Sequence, residues 1–173
     1  MSLNQLNKTE GSATKSPQSA PSQLKVCFGG YSTAGLKAEN QDAFAALVPN
    51  NNDMIAKGVV ATIADGVSSA SRAADAAQVS VTQFINDYYA TSDTWSTQKS
   101  ASKVLTSLNQ WLFSQTDAQN GDTQQWLTTF SALVIKSSTG YIFHVGDTRI
   151  SVFRQNDIES ITRDHNRRSR NGA

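Results

Sequence analysis

The chain has 173 residues, enough for one domain with a real hydrophobic core and too few for two comfortable ones. Its 15 Lys and Arg balance 14 Asp and Glu to a net charge of +1, so no overall field draws it to nucleic acid or to an anionic membrane. The longest apolar runs, such as Gly58 to Ala64, fall well short of a bilayer span, and no basic-then-apolar signal segment opens the chain. The sequence therefore reads as cytoplasmic, with neither nucleic acid nor membrane as a partner. A single cysteine, Cys27, forbids an internal disulfide, and with only His144 and His165 a Cys/His zinc site cannot be assembled. Any metal must be held by oxygen.

Residues 1–23 are mostly Ser, Thr, Asn, Gln, Lys, Gly and Pro, with too little apolar surface to offset the entropy of ordering them. They are expected to form a disordered polar leader. Residues 24–166 are the expected folded domain, and 167–173, with Arg167, Arg168 and Arg170, a basic disordered tail. The leader carries +1 and residues 163–173 carry +3, which leaves a mildly acidic body of −3.

Leu24, Val26 and Phe28 alternate with polar neighbours before Gly29-Gly30, which predicts a first strand. Ala43 to Val48 predicts a second, and Pro49 to Asp53 a turn. Val59 to Ala64 is continuously apolar and β-branched, as in a strand buried on both faces, and it ends in Asp65-Gly66. From about Ser71 the period lengthens: Ala77, Val81, Phe84, Ile85 and Tyr88 form one helical stripe, with a serine expected as N-cap. Val104, Leu105, Leu108, Trp111 and Leu112 form a second stripe, with Trp111 in the core. A polar link from Ser114 to Gln125 leads to strands at Phe130 to Ile135 and Tyr141 to Val145, joined by a turn at Ser137 to Gly140. Ile150 to Phe153 predicts a last strand, followed by a turn at Arg154 to Asp157. Runs of strands with two consecutive helices between them argue for helices packed on antiparallel sheet, not for alternating crossovers. No GxGxxG or Walker A motif offers a phosphate cradle.

Three carboxylates border apolar strands: Asp42, Asp65 and Asp147. Converging there, they would repel one another unless a cation or hydrogen-bond donors neutralised them, and Mg²⁺ or Mn²⁺ accepts such oxygen ligands. The glycines beside Asp65 and Asp147 let the backbone approach closely. An aspartate at a strand end also serves as a turn residue bonding its own backbone, and the residues alone leave both readings open.

Five short blocks stand in order over about residues 25–166: Gly35-Leu36-Lys37-Ala38-Glu39-Asn40-Gln41-Asp42, Ala64-Asp65-Gly66-Val67, Thr128-Thr129-Phe130-Ser131-Ala132-Leu133, Gly146-Asp147-Thr148-Arg149 and Thr162-Arg163-Asp164-His165. Together they resemble the metal-dependent serine/threonine protein phosphatases of type 2C, in their bacterial form. The resemblance implies an α+β fold, an α-β-β-α layered sandwich of two mostly antiparallel sheets with flanking helix pairs. It implies a two-metal site of Mg²⁺ or Mn²⁺, in which Asp65 bridges, the Gly66 carbonyl completes one ion, and Asp42 is a ligand or water-mediated neighbour. Asp147 matches the acid of an additional, weaker metal site. The implied activity is hydrolysis of phosphoserine or phosphothreonine in protein substrates by a metal-activated water, without a phosphoenzyme.

The chain departs from the pattern at several positions. Lys37 stands where the family usually has an arginine that grips the substrate phosphate, keeping the charge but losing the fork of donors. Val67 stands where some members have a histidine proposed as general acid. The second Asp-Gly and the later Asp-Asn motif of the family would lie beyond Asp164-His165, so the expected domain is incomplete at its C-terminus. A second reading follows, a truncated or degenerate relative acting as a non-catalytic binding or regulatory module. In the last block the resemblance implies a structural turn for His165, while His144 is expected packed or half-exposed on a strand and Cys27 inert in packing. Arg149 is expected to pair with a local acid, and Trp95 and Trp126, without interleaved basic residues, are not expected to stack on nucleic acid.

Overall fold

The computed structural model describes residues 25–115 and 125–165. The expected leader, the expected tail, Leu24 and most of the polar link between the helices and the later strands lie outside the described residues. In chain order the elements are β1 (Asp42–Leu47), α1 (Asn51–Ala56), β2 (Val59–Asp65), α2 (Ala73–Ala90), α3 (Thr97–Ser114), β3 (Phe130–Lys136), β4 (Thr139–Val145), β5 (Ser151–Arg154) and β6 (Asp157–Ser160).

β1 to β4 form one antiparallel sheet in sequential order, and β5 pairs with β6 in a separate hairpin. Period-2 alternation sorts the sheet residues onto two faces. Ala43, Val60, Ala64, Phe130, Ala132 and Val134 face the helices and are buried against Ala77, Val81, Phe84, Ile85 and Tyr88 of α2 and Ala101, Val104 and Leu108 of α3. The expected helical stripe of α2 is thus the face that builds the core. Phe84 is its centre, with ring centroids 6.0 Å from Tyr88 and 5.1 Å from Phe130, within the ~4.5–7 Å range of favourable aromatic pairs. The opposite sheet face carries Phe44 and Ile63, 45% and 43% exposed. β2 is therefore buried on one face along its whole length but not on both.

The junction between α1 and β2 is tightly held. Asn50 caps α1 by accepting from the Asp53 N–H, and the segment expected as a plain turn continues into a short helix because that cap satisfies its first free donor. At the other end Gly58 has φ +84 and donates to the Asp53 and Met54 carbonyls, a left-handed helix stop. Its missing side chain also lets β3 approach, since a Cβ would lie 2.3 Å from the Ile135 carbonyl oxygen. Gly58→Ala is expected to lower unfolding free energy by about 2–3 kcal/mol, combining backbone strain with overpacking, and a urea titration measures it. Lys57 next to it is 3% exposed. Its Nζ donates to Thr91 Oγ1 at 2.8 Å and to the Ser92 carbonyl at 2.9 Å, tying the start of β2 to the end of α2. Burial pushes this ammonium below its ordinary range, with Asp93 opposing.

Several expected features differ. Lys25 to Phe28 form no strand; Phe28 is 59% exposed and Cys27 is exposed rather than packed, because alternation makes a strand only where a ladder partner exists. The α2 N-cap is Arg72, without a side-chain cap bond, and not a serine; Arg72 pairs with Asp75 at 2.9 Å instead. Trp111 is 42% exposed and not core, although Leu112 beside it still packs against the core, so the packed side of α3 passes to one side of the indole. It meets Trp126 edge-on at 5.6 Å. In space the other two tryptophans do meet cations: the Arg72 guanidinium lies 5.4 Å from the Trp126 ring and the Lys99 ammonium 4.4 Å from Trp95. An unexpected strand, β6, follows the Gln155-Asn156 turn, where both residues take positive φ and reverse the chain tightly.

Candidate active site

Antiparallel pairing of β1 with β2 sets Asp42 directly opposite Asp65 at one end of the sheet. The Asp42 N–H donates to Asn40 Oδ1 at 3.1 Å, so a local turn delivers the strand to this position. Asp65 is fixed through its backbone by the strand that leads into β3. Its N–H donates to Thr129 Oγ1 at 3.0 Å, and its carbonyl accepts from the Thr129 N–H at 2.8 Å and from Thr128 Oγ1 at 3.0 Å. Gly66 continues the ladder with a bridge to Thr128, and its N–H donates to the Gln41 carbonyl at 2.9 Å. A Cβ on Gly66 would lie 2.5 Å from the Ala73 carbonyl oxygen, so only glycine lets α2 begin this close to the acidic end.

The Asp65 carboxyl is held above its ordinary value of 3.8, first by burial, then by a hydrogen bond to Asp42 and the charge of Asp42. The charge of Lys37 pulls in the opposite direction, and that of Asp147 adds to the repulsion, so both act on Asp65 from nearby. Lys37 follows the turn in which its N–H donates to the Ala34 carbonyl at 3.0 Å. Pairing of Phe130 with Val145 brings Gly146-Asp147 to the same end of the sheet. The fold thus gathers Lys37, Asp42, Asp65, Gly66 and Asp147 at one edge, with Lys37, Asp42 and Asp147 exposed and Asp65 half-buried. A cleft of about 240 Å³ opens beside Asp42, lined by Tyr31, Ser32, Thr33, Phe44 and Ile63.

Arg149, near enough to feel the charge of Asp147, is engaged by a different acid. It makes a two-pronged bond to Asp164, at 2.9 and 2.6 Å, which draws the Asp164 carboxyl below its ordinary range. His165 belongs to the same corner: its N–H donates to the Gly146 carbonyl at 2.7 Å, and its ring lies 4.9 Å from that of His144. His144 is half-buried, within 2.8 Å of Ser131 Oγ through Nδ1 and 3.2 Å of the Arg163 carbonyl through Nε2. Sequence reasoning assigned no task to Thr128 and Thr129. Their signal is positional, two hydroxyls immediately before an apolar strand, and only the pairing shows that both serve Asp65.

The donor set consists of hard oxygens, the type that Mg²⁺ and Mn²⁺ accept. Among the described residues no three His, Cys, Asp or Glu side chains group closely enough to hold a metal ion. Asp42, Asp65 and the Gly66 carbonyl therefore fit part of a coordination shell, the rest of which water or further ligands would fill.

Residues 29–172 match the sequence profile of the protein phosphatase 2C family. The chain belongs to this family. Its fold is similar to that of the serine/threonine phosphatase Stp1 from Staphylococcus aureus, with a TM-score of 0.64, 19% identity, and coverage of 78% of this chain and 52% of that one. A bacterial serine phosphatase gives a TM-score of 0.63 at 18% identity over 78% of this chain and 53% of its own. The phosphatase PstP/Ppp from Mycobacterium tuberculosis gives 0.53 at 20% identity over 71% and 54%. The chain thus spans about half the length of these solved phosphatases. No curated protein matches it. The family's mixed architecture is present here as the four-stranded sheet, the hairpin and the paired helices α2 and α3.

Proposed function

We propose that the acidic end of the sheet is a divalent-cation site serving the hydrolysis of phosphoserine or phosphothreonine in proteins. The observation that carries this reading is the placement of Asp42 opposite Asp65 on paired strands, in a chain of the phosphatase 2C family. Asp65, Asp42 and the Gly66 carbonyl would hold Mg²⁺ or Mn²⁺, with Asp147 as a further acid at the rim. When bound, the cation supplies an acidified water and offsets charge on the phosphoryl oxygens. The chain's own groups prepare that chemistry. Thr128 and Thr129 lock the Asp65 backbone, so its carboxylate needs little reorganisation. Lys37 receives the substrate phosphate as a point charge on a flexible stem, an attraction without the fixed angle of a guanidinium fork. Val67 has no proton to give, so a leaving oxygen takes its proton from water.

A second reading, a non-catalytic binding or regulatory module of the same family, draws on the lack of a three-ligand cluster among the described residues. One experiment separates the two. Mn²⁺ is titrated calorimetrically into the chain, and turnover of p-nitrophenyl phosphate and of a phosphothreonine peptide is measured with and without it. Uptake accompanied by Mn²⁺-dependent turnover is expected. Uptake without turnover selects the module, and absence of both removes the cation site. The described residues contain no helix long and apolar enough to cross a membrane. The expected setting is a cytoplasmic one, with a phosphoprotein partner.

A further inference from the structure

Phe130, Ala132 and Val134 of β3 turn toward the helices, so by alternation Ser131 stands on the opposite face of the sheet, with Ile63 of β2 and His144 of β4 as its cross-strand neighbours. It is 1% exposed. A hydroxyl buried there costs free energy unless it is bonded, and this one is bonded twice: Oγ lies 2.8 Å from His144 Nδ1 and 2.6 Å from Thr148 Oγ1. The partners decide which atom donates. The Arg163 carbonyl, 3.2 Å from His144 Nε2, can only accept, so Nε2 carries a proton. In the neutral ring Nδ1 is then an acceptor, Ser131 donates to it, and the Ser131 oxygen is left to receive the Thr148 O–H.

The segment held by this bond carries Asp147. On one side of that acid Gly146 is pinned, since its carbonyl accepts from the His165 N–H at 2.7 Å. With φ +107 it also packs so close to Thr129 that a Cβ would lie 2.6 Å from the threonine Cβ and Cγ2. On the other side Thr148 reaches Ser131. Asp147 is thus exposed to solvent between two anchors, near enough for its charge to act on Asp65. Thr129 in turn accepts from the Asp65 N–H. Alternate residues of one segment, Thr129 and Ser131, therefore hold the stretches of backbone that bear the two acids.

We propose that Ser131 is a positioning residue for Asp147: its hydroxyl, oriented by His144, holds Thr148 and so fixes the Asp147 backbone at the acidic end of the sheet. The effect on ion uptake rests on the cation site proposed above, whereas the placement of the loop belongs to the metal-free chain.

Backbone NMR relaxation of the metal-free chain tests the placement. In Ser131→Ala and in Thr148→Val the order parameters at Asp147 and Thr148 are expected to fall from about 0.85 toward about 0.6, while those of β3 stay rigid. Thr148→Ser, which keeps the oxygen, is expected to rescue the loop, and Ser131→Ala/Thr148→Val to loosen it no more than either single change. Calorimetric titration of Mn²⁺ is the second arm. Ser131→Ala is expected to weaken uptake by about tenfold, the lower end for a group that orients a ligand, and to add nothing in an Asp147→Asn background. General destabilisation would not vanish in that background. Unchanged order parameters in both single variants overturn the proposal, as does a wild type whose Mn²⁺ affinity Ser131→Ala leaves unaltered. A wild type that takes up no Mn²⁺ removes the cation site instead, and the order parameters then decide the placement of Asp147 by themselves.

Discussion

Asp65→Asn is expected to abolish Mn²⁺-dependent turnover and, in the same protein, to raise the melting temperature of the metal-free chain. Loss of a group that merely orients a metal ligand costs about 10- to 100-fold, so removal of the carboxylate itself is expected to cost at least about 100-fold. The gain in stability comes from the same geometry. In the metal-free fold, burial and the facing Asp42 disfavour the ionised Asp65. An amide carries no charge to desolvate and still donates a hydrogen bond to Asp42. Like charges directly opposite on paired strands destabilise by about 0.2–1 kcal/mol, which sets the scale of the gain.

The pH dependence has a definite sign. A carboxyl whose pKa is raised by folding binds more protons in the native state than in the unfolded one, so its ionisation penalises the fold as pH rises. The penalty is absent below the ordinary value of 3.8 and complete above the raised native value. Metal-free wild type is therefore expected to lose stability relative to Asp65→Asn as pH climbs through that window, and the two to differ by a constant amount above it. Thermal melts of both proteins in chelator, from pH 3.5 to 7.5, measure the difference. A wild type that gains on the variant with rising pH would show that Asp65 is stabilised by donors rather than strained by Asp42.

Phe84→Ala is expected to cost about 3–5 kcal/mol, a large share of the ~5–15 kcal/mol that holds a domain folded. The ring is fully buried where α2 crosses the sheet, and it touches Tyr88 on its own helix and Phe130 on β3. Neither neighbour can collapse into the vacated space without leaving its own partners, because Tyr88 is tied through its hydroxyl to the Lys57 carbonyl at 2.9 Å. Urea denaturation followed by far-UV circular dichroism gives the loss directly. A cost below about 1.5 kcal/mol would mean that the site relaxes like a surface position.

The elements legible in the sequence are those whose burial has a strong period. The stripe Ala77, Val81, Phe84, Ile85, Tyr88 specifies both the existence of α2 and the face it turns to the sheet. Val59 to Ala64 and Phe130 to Ile135 specify two central strands by their apolar, β-branched content. Asp65 and Asp147 were visible for the same reason, as carboxylates standing at the ends of such strands. Alternation alone was not enough at Lys25 to Phe28, where no ladder partner makes a strand of it. A helical stripe was not enough at Trp111, which lies beside the face that buries Leu108 and packs Leu112.

By itself, then, the amino-acid sequence determined the order of the main elements, the side of each that is apolar, and the five blocks that mark the phosphatase 2C family. Tertiary structure decided what meets what: the register that opposes Asp42 to Asp65, the service of Thr128 and Thr129 to the Asp65 backbone, and the burial of Lys57. The physical reason is one of range. Periodicity and turn chemistry are set by neighbours a few residues away, whereas a shifted carboxyl pKa or a buried ammonium arises only from groups brought together across the sheet and helices, tens of residues apart in the chain.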